Sequence, residues 1–150
     1  MKKLLLILLC LPMIILAQQT YVPDDNFEQA LINLGYDNVL DDYVLTANIN
    51  TINLLNINNK NISDLTGIGD FFTLSHLYCG ANNLQSLDLS NNSNLSYLSA
   101  AGNQLTSLEI SENYALNQLV GNRNQLTYLD LTAKSSLSCI DCDDILLIAL

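Results

Sequence analysis

Cys139-Ile140-Asp141-Cys142 is a C-x-x-C string, the spacing used by redox-active thiols and by zinc sites. Asp88, Glu109 and Asp130 recur at equal intervals, and Asp141, Asp143 and Asp144 cluster near the end. Clustered carboxylate oxygens are what calcium selects, although no Asp-x-Asp-x-Asp-Gly loop is present. The chain has one histidine, His76, and one arginine, Arg123, and neither has an evident nucleophile or metal partner. No glycine-rich phosphate loop appears. Tyr78 and Tyr97 offer something else: aromatic side chains bring large contact area at little entropic cost. These residues point to binding rather than reaction, with no catalytic residues, no metal ligands and no cofactor expected. What they can do depends on the elements that hold them.

Those elements are repeats. Segments starting at Leu74, Leu95 and Leu116 align without gaps at a period of 21. Position four is Leu77, Leu98, Leu119, and position six is small: Cys79, Ala100, Gly121. Position nine is Asn82, Asn103, Asn124, and position eleven is Leu84, Leu105, Leu126. Position fourteen is Leu87, Leu108, Leu129; fifteen is acidic; sixteen is Leu89, Ile110, Leu131. A variant copy of 22 residues precedes them, with Ile52, Leu55, Ile57, Ile62 and Leu65 on the same positions and Lys60 in the asparagine place. A partial copy follows, with Leu137, Ile140, Cys142, Leu147 and Leu150, and with Ile145 in the asparagine place. The units are therefore 52–73, 74–94, 95–115 and 116–136, then a partial repeat or tail over 137–150.

The pattern L-x-x-L-x-(small)-x-x-N-x-L resembles the leucine-rich-repeat superfamily. The first copy, Ile62-Ser63-Asp64-Leu65-Thr66-Gly67-Ile68, is similar to the internalin-type repeats of bacterial surface proteins. The resemblance covers about residues 49–150. It implies a β-rich repeat solenoid and a role in binding, usually on the concave strand face.

The physics leads to the same architecture. Positions four and six alternate with five, as in a short strand with one buried face. One repeat buries too few apolar side chains to offset the ordering of its backbone, so repeats must stack and fold collectively. The expected solenoid has short parallel strands, one per repeat. Asn82, Asn103 and Asn124 sit at the turn after each strand, where asparagine bonds backbone groups, and form a structural ladder. Asn92 and Asn113 form a second ladder that stops at Lys134. The outward strand positions then carry the ligand-binding candidates His76, Tyr78, Tyr97, Ser99, Gln118 and Val120, with Arg123 in the turn beyond. Cys139 and Cys142 fall on opposite faces of one strand, which disfavours a shared metal or redox site. Cys79 and Cys142 lie three steps apart, roughly 14 Å at strand spacing, too far for a disulfide.

A solenoid must cover the exposed core at its ends. Residues 19–51 read as an N-terminal cap. Asp25 and Glu28 have capping-box spacing, and Phe27, Ala30, Leu31 and Leu34 form an apolar stripe closed by Gly35. Asp41 to Leu45 suggest a further helical turn. At the other end, Ile145 to Leu150 are apolar. They either fold over the last repeat or leave an edge open to self-association.

The beginning of the chain is different. Met1-Lys2-Lys3 precedes the apolar run Leu4 to Leu16, and Ala17 offers a small residue for cleavage. Residues 1–18 read as a secretory signal peptide, too short for a membrane span. A lipid anchor on Cys10 is the rival reading, disfavoured because more apolar residues follow it. Cleavage removes Lys2 and Lys3, taking the net charge from −10 to −12 and leaving Lys60, Arg123 and Lys134 against fifteen acidic residues. Such a surface repels phosphate backbones and anionic membranes. The sequence thus reads as a secreted or cell-surface binding module for an extracellular protein or glycan. A self-assembling structural element and a calcium-stabilised solenoid are the alternatives.

Overall fold

The structure is a computed structural model that describes residues 18–142 and 146–148. The segment 1–18 read as a signal peptide lies, but for Gln18, outside the described residues. The chain opens with strand β1 (Gln19–Tyr21), helix α1 (Asp25–Asn33), strand β2 (Tyr43–Leu45) and a short helix α2 (Thr46–Ile49). The first repeat follows with strand β3 (Leu54–Asn56) and a 3-10 turn at Ile68–Asp70. Each later repeat carries two strands: β4 (His76–Tyr78) and β5 (Ser86–Asp88), β6 (Tyr97–Ser99) and β7 (Ser107–Glu109), β8 (Gln118–Val120) and β9 (Tyr128–Asp130). The last are β10 (Cys139–Asp141) and β11 (Leu146–Ile148).

One strand of every repeat joins a five-stranded parallel sheet, in the order β10-β8-β6-β4-β3. Its register is the sequence register of the repeats: Leu55, Leu77, Leu98, Leu119 and Ile140 stand side by side. The second strand of each repeat corrects the expectation of one. β5 pairs with β7, and β9 with β11, both parallel. Between the two strand rows runs the core. Leu74, Leu77, Leu84, Leu89, Leu95, Leu98, Leu105, Leu116 and Leu119 are all inaccessible to solvent.

Each turn after the first strand row places its position-eight residue in the left-handed region: Asn59, Ala81, Gly102 and Arg123, with φ of 56°, 53°, 68° and 55°. The position-nine asparagine then fills the bend. Asn82 Oδ1 accepts from the Lys60 and Ile62 amides at 2.9 and 3.1 Å, while its Nδ2 donates to the Ile57 and Cys79 carbonyls, both at 2.9 Å. Asn103 accepts from Leu84 N and donates to the Cys79 and Ala100 carbonyls. Asn124 repeats this on Leu105 N, Ala100 O and Gly121 O. Buried backbone groups are thereby satisfied, as a packed interior requires.

The second asparagine row lies opposite. Asn92 donates to the Ile68 and Phe71 carbonyls, and Asn113 to those of Leu89 and Asn92. The Oδ1 atoms of Asn92 and Asn113 are buried without a protein donor. In the next repeat Lys134 takes the place: its Nζ donates to Ser111 O at 2.7 Å and lies 5.1 Å from the centre of the Tyr114 ring.

The cap docks through α1, with Phe27 stacked on Phe71 of the first repeat at 6.3 Å. Phe27, Ala30 and Leu31 are buried as their stripe implies, but Leu34 is 45% exposed because the helix has ended and Leu34 is only its cap residue. The capping box also differs. The N-cap is Asp24, whose Oδ1 accepts from Asn26 N and Phe27 N. Glu28 turns away from its own helix end and is buried, its carboxylate accepting from the amides of Asp41, Asp42 and Tyr43. Held there, residues 43–45 form not the expected helical turn but strand β2, antiparallel to β1.

Asp24 also ties the cap to the repeats, because its Oδ2 accepts from Ser63 N, Ser63 Oγ and Asp64 N at 2.8, 2.7 and 3.1 Å. Burial alone raises its pKa. The hydrogen bonds from Ser63, Phe27 and Asp64 outweigh that and hold the carboxyl below its ordinary 3.8. A carboxyl lowered in the folded state stabilises fully above its unfolded pKa and stops doing so as pH falls through the folded one. Asp24→Asn is therefore expected to destabilise the protein at pH 6. The difference from the parent chain shrinks as pH falls below about 4. Urea midpoints across that range check it; a gap that stays constant down to pH 2 contradicts it.

The last half-repeat departs from the 21-residue period. β11 places Leu147 beside Leu129, where the period puts Leu150, so this half-repeat is three residues short. Ile140, in register with buried Leu119, is 38% exposed.

Candidate functional site

Three-residue strands with one inward side chain leave two outward ones, so the five-stranded sheet displays two parallel columns. One is Leu54, His76, Tyr97, Gln118 and Cys139; the other is Asn56, Tyr78, Ser99, Val120 and Asp141. Neighbours in a column are about 4.8 Å apart, close enough for rings to touch. The rings do touch. His76 and Tyr97 stack with centroids 5.9 Å apart and planes 15° from parallel, and Tyr78 meets Tyr97 at 4.9 Å and 33°. All three are half-buried. Ser75 Oγ bonds His76 Nδ1 at 2.9 Å, which fixes the imidazole in the stack.

The structure thus brings His76, Tyr78 and Tyr97 into one aromatic shelf. Gln118 is beside Tyr97 in the register, Ser99 lies between Tyr78 and Val120, and a shallow depression of about 190 Å³ opens among His76, Ser96, Tyr97, Asn117 and Gln118. Arg123 is not on the sheet: it occupies the left-handed turn beyond β8 and is exposed. Leu54, 52% exposed beside His76, extends the face. It stands on position three of the first repeat, and that position was the signal for it in the sequence.

The other chemistry-bearing residues are placed differently. Asp88, Glu109 and Asp130 end the second strand row, where each carboxylate accepts from the amide two residues on: Ser90, Ser111 and Thr132 at 2.9, 2.7 and 2.8 Å. These hydroxyl residues lower all three pKa values, at Asp88 mainly through the amide and at Glu109 and Asp130 mainly through the side chain. The column is therefore a row of turn-closing carboxylates. Among the described residues no three His, Cys, Asp or Glu side chains converge as a metal site would require. Cys79 is fully buried and its thiol is pushed up to about 12 by that burial, far from a reactive thiolate. Cys139 is exposed and Cys142 half-buried against the core. Among the described residues no helix is long and apolar enough to cross a membrane.

No family model matches the chain. Internalin J of Listeria monocytogenes is 33% identical over 73 residues, which is 49% of this chain and 8% of that protein. The solved functional domain of internalin J, described as including a cysteine ladder, has a TM-score of 0.59 at 30% identity, over 84% of this chain and 33% of that one. Internalin F from the same species gives 0.63 at 16% identity, over 83% of this chain and 44% of that one. Internalin C2 gives 0.57 at 19%, over 87% and 71%. The chain thus spans about a third of the solved internalin J domain and a small part of the whole protein. In this chain Ala100 and Gly121 separate Cys79 from Cys142 in the position-six column.

Proposed function

We propose that this internalin-like leucine-rich-repeat solenoid is an exported binding module whose ligand lies across the outer face of the five-stranded sheet. The observation that carries the reading is the shelf of His76, Tyr97 and Tyr78. Aromatic side chains fixed before contact lose little freedom on binding, and that is why such clusters dominate interfaces. Ser75 Oγ on His76 Nδ1 holds the imidazole in the stack, and the role proposed for the shelf is contact. The residues 1–18, read from the sequence as a leader, and the likeness to internalins support a secreted or cell-surface setting.

The test is an array of extracellular proteins and glycans screened with the parent chain and with Tyr78→Ala/Tyr97→Ala. The double variant is expected to lose at least tenfold in affinity for whatever the parent binds, while its far-UV circular dichroism is unchanged. A ligand bound equally well by both places recognition elsewhere and sinks the proposal.

A further inference from the structure

We infer that the ligand on this face is a neutral glycan, an inference that rests on the sheet face being the binding surface. Charge argues for it. In a chain of net charge −10, the outward residues of the first four strands (Leu54, Asn56, His76, Tyr78, Tyr97, Ser99, Gln118 and Val120) include no Asp, Glu, Lys or Arg. The acidic residues are displaced to other surfaces: Asp88, Glu109 and Asp130 end the second strand row. Among the described residues, formal charge reappears at the margins, with Lys60 and Arg123 in the turns beyond β3 and β8 and with Asp141 on β10, bonded by Asn122 Nδ2 at 3.0 Å. A charged ligand has no partner on these four strands themselves, and protein partners ordinarily meet complementary charge.

Shape and chemistry point the same way. A sugar ring has one face of C–H groups, which lies flat on an aromatic ring, and a rim of hydroxyls, which need small polar partners. Tyr97 supplies the flat surface: His76 and Tyr78, both on β4, pack against it from one side, and its other side adjoins Gln118 on β8. Beside it the exposed Gln118 offers an amide that both donates and accepts, and the depression next to Tyr97 is shallow and open. Ser99 and Asn56 place further neutral polar groups in the column beside Tyr78. The strands hold these groups at even spacing, so an extended oligosaccharide crossing the repeats meets them in turn.

The experiment is aromatic-region NMR on the full chain, titrated with hexamers of glucose, N-acetylglucosamine, mannose and galactose up to about 10 mM, which reaches millimolar dissociation constants. At least one hexamer is expected to shift the Tyr78 and Tyr97 ring resonances saturably. Tyr97→Ala should weaken that binding at least tenfold. Gln118→Ala, an exposed change, should weaken it severalfold, and Tyr114→Ala, off the face, should have no effect. Unmoved rings with every hexamer overturn the proposal. So does a protein ligand that needs Tyr78 and Tyr97 and still binds after its sugars are stripped; that result leaves the face as the binding surface. A ligand indifferent to both tyrosines overturns the glycan and the face together.

Discussion

Asn103→Ala is expected to lower the free energy of unfolding by about 2–4 kcal/mol, because the buried Leu84 amide loses its partner and the Cys79 and Ala100 carbonyls each lose one of two donors, where an unsatisfied buried group costs about 1–3 kcal/mol. The side chain accepts from Leu84 N at 3.1 Å and donates to Cys79 O and Ala100 O at 3.0 and 2.9 Å, all three bonds buried. Alanine leaves a gap bounded by polar atoms and offers nothing to bond them. Domains of this size are stable by roughly 5–15 kcal/mol in total, so the loss is a large share. Asn103→Asp is expected to be no better: it keeps the acceptor for Leu84 but turns a buried charge toward two carbonyl oxygens. Asn83→Ala is the control. Asn83 is exposed and its side chain donates to Asn61 O at 3.2 Å at the surface, so its replacement should cost under about 0.5 kcal/mol. Urea unfolding of the three variants checks this. A cost below about 1 kcal/mol for Asn103→Ala would show that water replaces the amide and that the ladder does not hold the turn.

Gly67→Ala is expected to cost about 2–4 kcal/mol, the second large effect, and to act at the joint between cap and repeats. Gly67 has φ of 97°, and a Cβ there would stand 2.6 Å from the Tyr21 carbonyl oxygen and 3.0 Å from Thr20 Cγ2. The obstacle is backbone. Thr20 is also anchored, its Oγ1 2.9 Å from Thr46 Oγ1 and 2.6 Å from Asp70 Oδ2, so β1 cannot retreat without breaking those bonds. Gly35→Ala separates strain from contact: φ is 81° but nothing lies within 4 Å, so only the left-handed penalty of about 1 kcal/mol remains. Thermal melting should show the Gly67 variant well below the Gly35 variant. Equal melting temperatures would mean that β1 yields freely.

The sequence made the solenoid legible because the repeat signal is long and redundant. Leucine columns fixed the register, the position-nine asparagines marked the turns, and the second row ended at Lys134, where the structure puts an ammonium in place of an amide. Short-range signals carried less. Ser86-Leu87-Asp88 and Ser107-Leu108-Glu109 are strands of three residues with one inward side chain, and such a pattern is the same in a loop. Asp24 and Asp25 are adjacent and equally able to cap a helix. The choice was made by Ser63, 39 residues away, which only the fold brings near. Glu28 had a local role available and took a long-range one. Leu146, Leu147 and Ile148 are apolar at every step, so the 21-residue period assigned Leu147 to position eleven, whereas β11 sets it on position fourteen beside Leu129. On the sheet face, position three and five residues were identifiable, but the mutual stacking of His76, Tyr97 and Tyr78 depends on side-chain rotamers that only the fold sets.

The amide ladder has a direction. Asn82 serves backbone groups of the repeat before it, Asn103 those of the second repeat, and Asn124 those of the third. Each unit therefore completes its predecessor, and its own bend is completed by its successor. Such an array lengthens by duplication without redesign. A copied 21-residue unit inserted between two others receives an asparagine from one side and gives one to the other. Loss of a unit from the middle is equally silent, since its neighbours close on each other in the same register. Selection on the number of turns, and so on the length of the sheet face, can proceed independently of selection on the residues that face displays.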